Sequence, residues 1–252
     1  MAKYDAFGTT LEMGVRQVET AVIVGAITGN GNATFTLTKS GMTGSPIATS
    51  VAVVAGDTPT STATKAAAAL NLVANIIAVC DVKADGINVV VTALTAAADD
   101  ATFNLAYTNG TCTGLTPDAT STNTIAGEAL ATIAQVTNFG GPSLALDTED
   151  VTTHDSTGAW EEVIATVLRT SELTLDIVYD PVDNTHDYTG GLGLVDKLDN
   201  KELGRFVITF PDAASTKWYF SAYVTGFEPG APHDGALTAS VSLKIDGAPT
   251  LA

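Results

Sequence analysis

Basic residues are scarce in this chain of 252: 11 Lys and Arg face 28 Asp and Glu, for a formal net charge of -17. A protein that grips nucleic acid by neutralising phosphates needs the opposite balance, so that class is excluded. Cysteine is nearly absent. Cys80 and Cys112 lie far apart and outside any CxxC spacing; a free, buried pair in a reducing cytosol is expected, with a disulfide as the other reading. Three scattered histidines, His154, His186 and His233, have no partner at metal-ligand spacing and read as surface or turn residues. Long apolar runs are missing too. Residues 71–80 come nearest, but Asn75 interrupts them and Asp81 ends them. The first ten residues lack the basic flank and apolar run of a signal peptide, so a soluble chain made in the cytosol is expected.

Aromatics are thin in one stretch only. Residues 19–128 hold no Trp and three large aromatics, Phe35, Phe103 and Tyr107, in a background of Ala, Thr, Val, Gly and Asn. Charge follows the same division. Residues 129–252 carry 18 acids and six bases, against eight and three in 18–128 and two of each in 1–17. The composition therefore predicts an inserted domain at 19–128 and a discontinuous body of 1–18 with 129–252.

Within the insert, residues 33–38 alternate with Phe35 and Leu37 on one side, and 47–54 form a second β-branched run after turn residues 41–46. Asp57-Thr58-Pro59 supplies a capping side chain and a first-turn proline, with a helix expected over 63–72. Strands are expected at 87–93 and 102–107, giving a small α+β unit. In the body, 172–179 and 237–245 alternate most clearly. Leu173, Leu175 and Ile177, and likewise Ala239, Val241, Leu243 and Ile245, define dry faces; Glu172, Thr174 and Asp176, and Thr238, Ser240, Ser242 and Lys244, define wet ones. Strands at 205–210 and 217–227 are joined by the turn 211–215, a short helix is expected over 193–200, and a second over 159–168 from Trp160, Val163, Ile164 and Val167. The expected fold is mainly β, a sandwich or half-barrel with one or two short helices, interrupted by the α+β insert.

Catalytic and metal motifs are weak. His154-Asp155-Ser156 has the residue types of a hydrolase triad, but triad members converge from separate elements. Asp180, Asp183, Asn184 and Asp187 offer oxygens to a cation without the glycine and terminal Glu of an EF-hand loop, and read as an Asx-rich turn. Gly29-Asn30-Gly31 lacks the Lys of a phosphate loop. No catalytic residue, metal or cofactor is assigned.

Several long, ordered segments carry a resemblance: IAQVTNFGGPSLALDTEDVTTHDS at 133–156, SELTLDIVYDPVDNTH at 171–186, FVITFPD at 206–212 and YVTGFEPGAPHDGALTASVSLKIDGAPTL at 223–251, with GTTL at 8–11. Together they resemble the major tail tube protein of lambda-like siphoviruses, bacteriophages with long non-contractile tails. The insert resembles more loosely a virion accessory module. The resemblance implies a structural, non-enzymatic subunit. It implies that six copies close into a ring by pooling strands into one barrel, and that rings stack into a tube whose lumen conducts the genome during ejection. It implies as partners the chain itself and the tape-measure, terminator and tail-tip proteins, with DNA passing unbound and no membrane involved. The subunit would be made in the bacterial host cytoplasm and end in the virion tail. The wet-face residues Glu172, Thr174, Asp176, Thr238, Ser240, Ser242 and Lys244 become lumen candidates. By position, the N-terminal arm and the 142–156 loop supply stacking candidates: Tyr4, Phe7, Asp147, Glu149, Asp150 and His154. The insert, where relatives have a short connection, is expected to project from the outer wall or a ring junction. A virion adhesin or carbohydrate-binding β-sandwich is the alternative reading, suggested by the Thr/Ala/Gly-rich insert.

Overall fold

The computed structural model describes residues 7–189 and 192–251. The chain divides into two compact units, one of residues 14–130 and one of 1–13 with 131–252. Strand β1 (Thr10–Val15) leads from the second of these into the first. There follow β2 (Val18–Val22), β3 (Gly31–Thr38), β4 (Ile47–Val53), α1 (Pro59–Leu70), α2 (Ala74–Ile77), β5 (Cys80–Asp85), β6 (Asn88–Ala93), β7 (Asn104–Thr108) and β8 (Thr122–Ile125), and β9 (Glu128–Thr132) brings the chain back.

The 14–130 unit holds a four-stranded sheet, β5-β6-β2-β8, and a three-stranded sheet, β4-β3-β7. Period-two patterning makes the strands: Ala33, Phe35 and Leu37 of β3 are fully buried while the Thr residues between them are not. Tyr107 ties the sheets together. Its ring stacks on Phe35 at 5.7 Å, and its hydroxyl donates to the Val22 carbonyl (2.8 Å) and accepts from the Val24 N–H (3.1 Å). Helix α1 begins four residues earlier than the apolar pattern predicts, because Thr58 Oγ1 caps the Ser61 N–H and Pro59 fits the first turn. Its buried side is Thr62, Ala63, Ala66, Ala67 and Leu70. It stops at Leu70, where the Asn71 amide donates to the Val82 carbonyl at 2.7 Å.

The other unit contains β10 (Val136–Gly140), β11 (Leu144–Asp150), β12 (Val163–Thr170), β13 (Glu172–Val178), α3 (Leu194–Asn200), β14 (Leu203–Thr209), β15 (Lys217–Gly230) and β16 (Thr238–Leu251). A curled half-barrel sheet runs β10-β13-β16-β15-β14-β1-β9. One face is dry: Leu173, Leu175 and Ile177 of β13 meet Val241 and Leu243 of β16, Phe220 of β15 and Phe206 of β14 in a single core, to which α3 adds Leu194. Phe206 and Phe220 are direct cross-strand partners with rings stacked at 5.8 Å. The molecule is mainly β, as the alternation predicts.

One element differs in kind from its expectation. Of residues 159–168, read as a second helix, only 163–168 are regular beyond a 3-10 turn at Thr157–Ala159, and they belong to strand β12, which pairs antiparallel with β11 from Leu144↔Thr170 to Asp150↔Val163. Much of the 142–156 segment, expected as a loop, is therefore strand as well. Val163, Ile164, Thr166 and Val167 are β-branched and cheap to extend. The apolar spacing that imitates a helix serves no core here, since β12 is exposed almost throughout.

Candidate assembly surfaces

The two wet faces inferred from alternation are one surface. Strands β13 and β16 pair with Glu172 opposite Lys244, Thr174 opposite Ser242, Asp176 opposite Ser240, and Val178 opposite Thr238. All seven lumen candidates thus sit side by side on the face away from the core, exposed except for half-buried Ser242. The next strand continues it: Thr225 Oγ1 donates to Glu172 Oε1 at 3.0 Å, and Tyr223 lies opposite Lys244. Sequence reading left Thr225 and Tyr223 out, because a register irregularity between Val224 and Gly226 interrupts the alternation of β15. Chemically this patch is hydroxyls and carboxylates with one ammonium. Across β13 and β16 it is polar apart from half-buried Val178, and the exposed Tyr223 ring adds an aromatic margin.

The stacking candidates fall in two places, apart from Tyr4, which lies outside the described residues. Asp147, Glu149 and Asp150 belong to β11 and His154 to the exposed turn beyond it. Asp147 forms an ion pair across the hairpin with Arg169. Asp150 Oδ1 accepts from the Thr152 N–H at 2.8 Å, and its hydrogen bonding with Thr152 holds the carboxyl below its ordinary range. Around them the hairpin exposes apolar side chains: Leu144, Leu146, Val163, Ile164, Val167 and Leu168 are each more than half exposed. Consecutive residues such as Val163 and Ile164 point to opposite faces, so neither face of the ribbon is purely polar. At the far end, Trp160 is 78% exposed.

Phe7 lies elsewhere. With Val136, Phe139, Phe210 and Pro211 it lines an open groove of about 1030 Å³ beside terminal strand β10. Asp212 also lines the groove, but its two oxygens are taken by the N–H and hydroxyl of Thr216 at 2.7 and 2.8 Å.

The hydrolase constellation does not form. Ser156 Oγ accepts from the Thr153 N–H at 3.0 Å and the Asp155 N–H donates to Thr153 Oγ1 at 3.3 Å, a local turn. In the acidic turn, Asp180, Asp183 and Asp187 each accept from an N–H two residues on. Among the described residues no three His, Cys, Asp or Glu side chains converge as a metal site.

His186 is a turn residue but not a surface one: it is fully buried. Nδ1 accepts the Asp180 N–H at 3.2 Å and Nε2 lies 2.9 Å from the Ala134 carbonyl, to which it donates. Thr185 Oγ1 accepts the Ala134 N–H at 3.1 Å and donates to Asp183 Oδ1 at 2.6 Å, an interaction that holds the Asp183 carboxyl below its ordinary range. The 183–186 turn thereby fixes both backbone groups of Ala134, two residues before β10. The partners are 52 residues apart, and no local pattern signals them.

A family model described as phage tail tube protein matches residues 121–251, more than half of the chain. The chain belongs to the phage tail tube protein family: it is a structural, non-enzymatic subunit of a phage tail tube and a component of the virion tail. Among curated proteins, none matches. Solved structures that resemble it include a chain of the virion of a native gene transfer agent particle, with 19% identity, a TM-score of 0.41, and coverage of 49% of this chain and 88% of that one. A chain in the tail of an empty gene transfer agent particle with C6 symmetry has 17% identity, a TM-score of 0.40, and coverage of 49% and 86%. One from the sheath-tube complex of an extracellular contractile injection system in the extended state has 15% identity, a TM-score of 0.36, and coverage of 48% and 82%.

Proposed function

We propose that this subunit closes with five further copies into a hexameric ring, and that rings stack into the tube of a long, non-contractile tail whose lumen conducts DNA during ejection. The observation that carries the reading is the continuous hydroxyl and carboxylate face on β13 and β16, backed by a dry core. Placed on a lumen wall, such a face sets the carboxylates of Glu172 and Asp176 against the single ammonium of Lys244, a balance that disfavours phosphate binding. Strands β10 and β9 end the sheet. Among the described residues neither has a strand on its outer side, and a ring pairs both edges.

In this reading the body is 1–18 with 129–252, and 19–128 is an accessory domain carried on the outer wall. The N-terminal arm and the β11–β12 hairpin make the axial contacts, with Tyr4, Phe7, Asp147, Glu149, Asp150 and His154 among the contact residues. The subunit is made and assembled in the host cytoplasm, around a tape-measure protein and between tip and terminator proteins.

Electron microscopy of the concentrated protein tests the reading. Ring stacks or tubes are expected; a persistently monomeric protein that binds cells overturns it in favour of the adhesin. In assembled tubes, a cysteine at Ser240 is expected to react with small maleimides diffusing through the lumen and to be shielded from bulky external ones. Reaction with bulky external reagents contradicts the lumen assignment.

A further inference from the structure

Resting on the tube reading, we propose that Trp160 of one copy seats in the Phe7, Phe139, Phe210 and Pro211 groove of a second copy, as the anchor of the stacking contact. Trp160 lies at the far end of the β11–β12 ribbon, 78% exposed, with its ring resting against Gly158: a Cβ added there would stand 3.2 Å from the indole. A large exposed indole with only two side-chain torsions loses little freedom on binding, which is the profile of an interface hot spot. The ribbon around it has the same need for cover. An isolated two-stranded ribbon is marginal in water, and this one exposes Leu146, Ile164 and Leu168 as well.

The groove is the complementary surface. Its aromatic and proline lining is apolar, and the carboxylate of Asp212 is already engaged by Thr216. Asn138, also in the lining, is exposed and offers an amide oxygen to the indole N–H.

The Trp160 that fills it must come from another copy. Gly141 lines the groove, and the hairpin is closed just beyond it by the Ser171 N–H to Ser143 carbonyl bond of 3.0 Å. The groove thus lies at the root of the hairpin. With strands of seven and eight residues at about 3.3 Å per residue, the tip stands roughly 20 Å or more from that root. A ribbon cannot fold its own tip back onto its base. Donor and acceptor at opposite ends of one element make a head-to-tail contact that does not close on itself, and repetition of that contact builds a filament along an axis.

The test has two arms, both on the full chain. Trp160→Ala is expected to raise the protein concentration needed for tube growth at least tenfold, with the circular dichroism unchanged because the side chain is outside the core. Unchanged assembly overturns the proposal. For the second arm, a Glu161→Cys chain, which keeps Trp160, is mixed with an Asn138→Cys chain and assembled. A disulfide joining the two copies, mapped by mass spectrometry, is expected; the native Cys80 and Cys112 are buried and do not compete. Tubes that grow from the mixture without this bond overturn the docking proposal and leave the tube reading standing. If the unmodified chain never forms tubes, both fall.

Discussion

His186→Ala tests whether the turn before β10 is held as the hydrogen bonds indicate. The ring is fully buried, and its loss strands the Ala134 carbonyl and the Asp180 N–H, each previously paired. An orphaned buried polar group costs about 1–3 kcal/mol. Ala134 and Asp180 are half-buried, which sets each near the lower end of that range, and with the space left by the imidazole the loss is about 3–4 kcal/mol. Both tryptophans, Trp160 and Trp218, belong to the unit of 1–13 with 131–252, so tryptophan fluorescence follows that unit alone. With a urea slope of about 2 kcal/mol/M, the midpoint is expected to fall by roughly 2 M, measured below the concentration at which the protein assembles. His154→Ala, at an exposed turn, is the control and is expected to stay within about 0.5 kcal/mol. A midpoint shift under about 0.5 M for His186→Ala, at constant slope, refutes the reasoning.

Thr58→Ala removes the cap on the Ser61 N–H and is expected to cost the 14–130 unit about 1 kcal/mol, read as faster hydrogen exchange over residues 59–70. Burial pushes the Cys80 thiol up to about 11 and raises that of Cys112, so Ellman's reagent at pH 8 is expected to count no thiols in the native protein and two in denaturant; rapid native labelling contradicts this. Asp57 is held below its ordinary 3.8 first by the hydrogen bond from Lys65 and then by that from the Val54 N–H. A folded pKa below the unfolded one stabilises above 3.8 and loses that contribution as pH falls through the folded value, so Asp57→Asn is expected to flatten the acid side of the melting profile.

What was legible in the sequence was whatever a buried face writes into it. In β3, β13 and β16 as far as Ile245 every second residue enters a core, and the period of two appears in the residues themselves. Helix α1 carried its start signals in Thr58 and Pro59, but the apolar pattern set the expected start at 63, since Pro59–Ser61 do not face the core. Among the described residues the β11–β12 ribbon has no buried face, so its pattern obeys no core, and Trp160, Val163, Ile164 and Val167 fell at helical spacing without a core for a helix to face. The wet faces could be named residue by residue, but not their adjacency, because the pairing of Glu172 with Lys244 joins segments 72 residues apart. His186 was opaque for the same reason: its role is defined by Ala134, and nothing near it in sequence points there.

The place of the insertion makes a last prediction. The Ile133 N–H donates to the Leu11 carbonyl at 2.8 Å, and β1 and β9 are neighbours in the sheet, so the body's backbone leaves and returns at adjacent points. Closing a loop costs free energy that grows only with the logarithm of its length. Replacing a five-residue connection by about 110 flexible residues would cost roughly 3 kcal/mol, and a connection that folds on its own core, as 14–130 does around Phe35 and Tyr107, costs less. Reading the insert as an accessory implies a body that packs without it. Excising 20–127 and joining β1 to β9 through a short glycine-rich turn is expected to leave the tryptophan-detected urea midpoint equal or higher. A body that fails to fold after the excision would show that the core of 1–13 with 131–252 is not self-sufficient, and the reading of the insert as an accessory carried by a complete body would go with it.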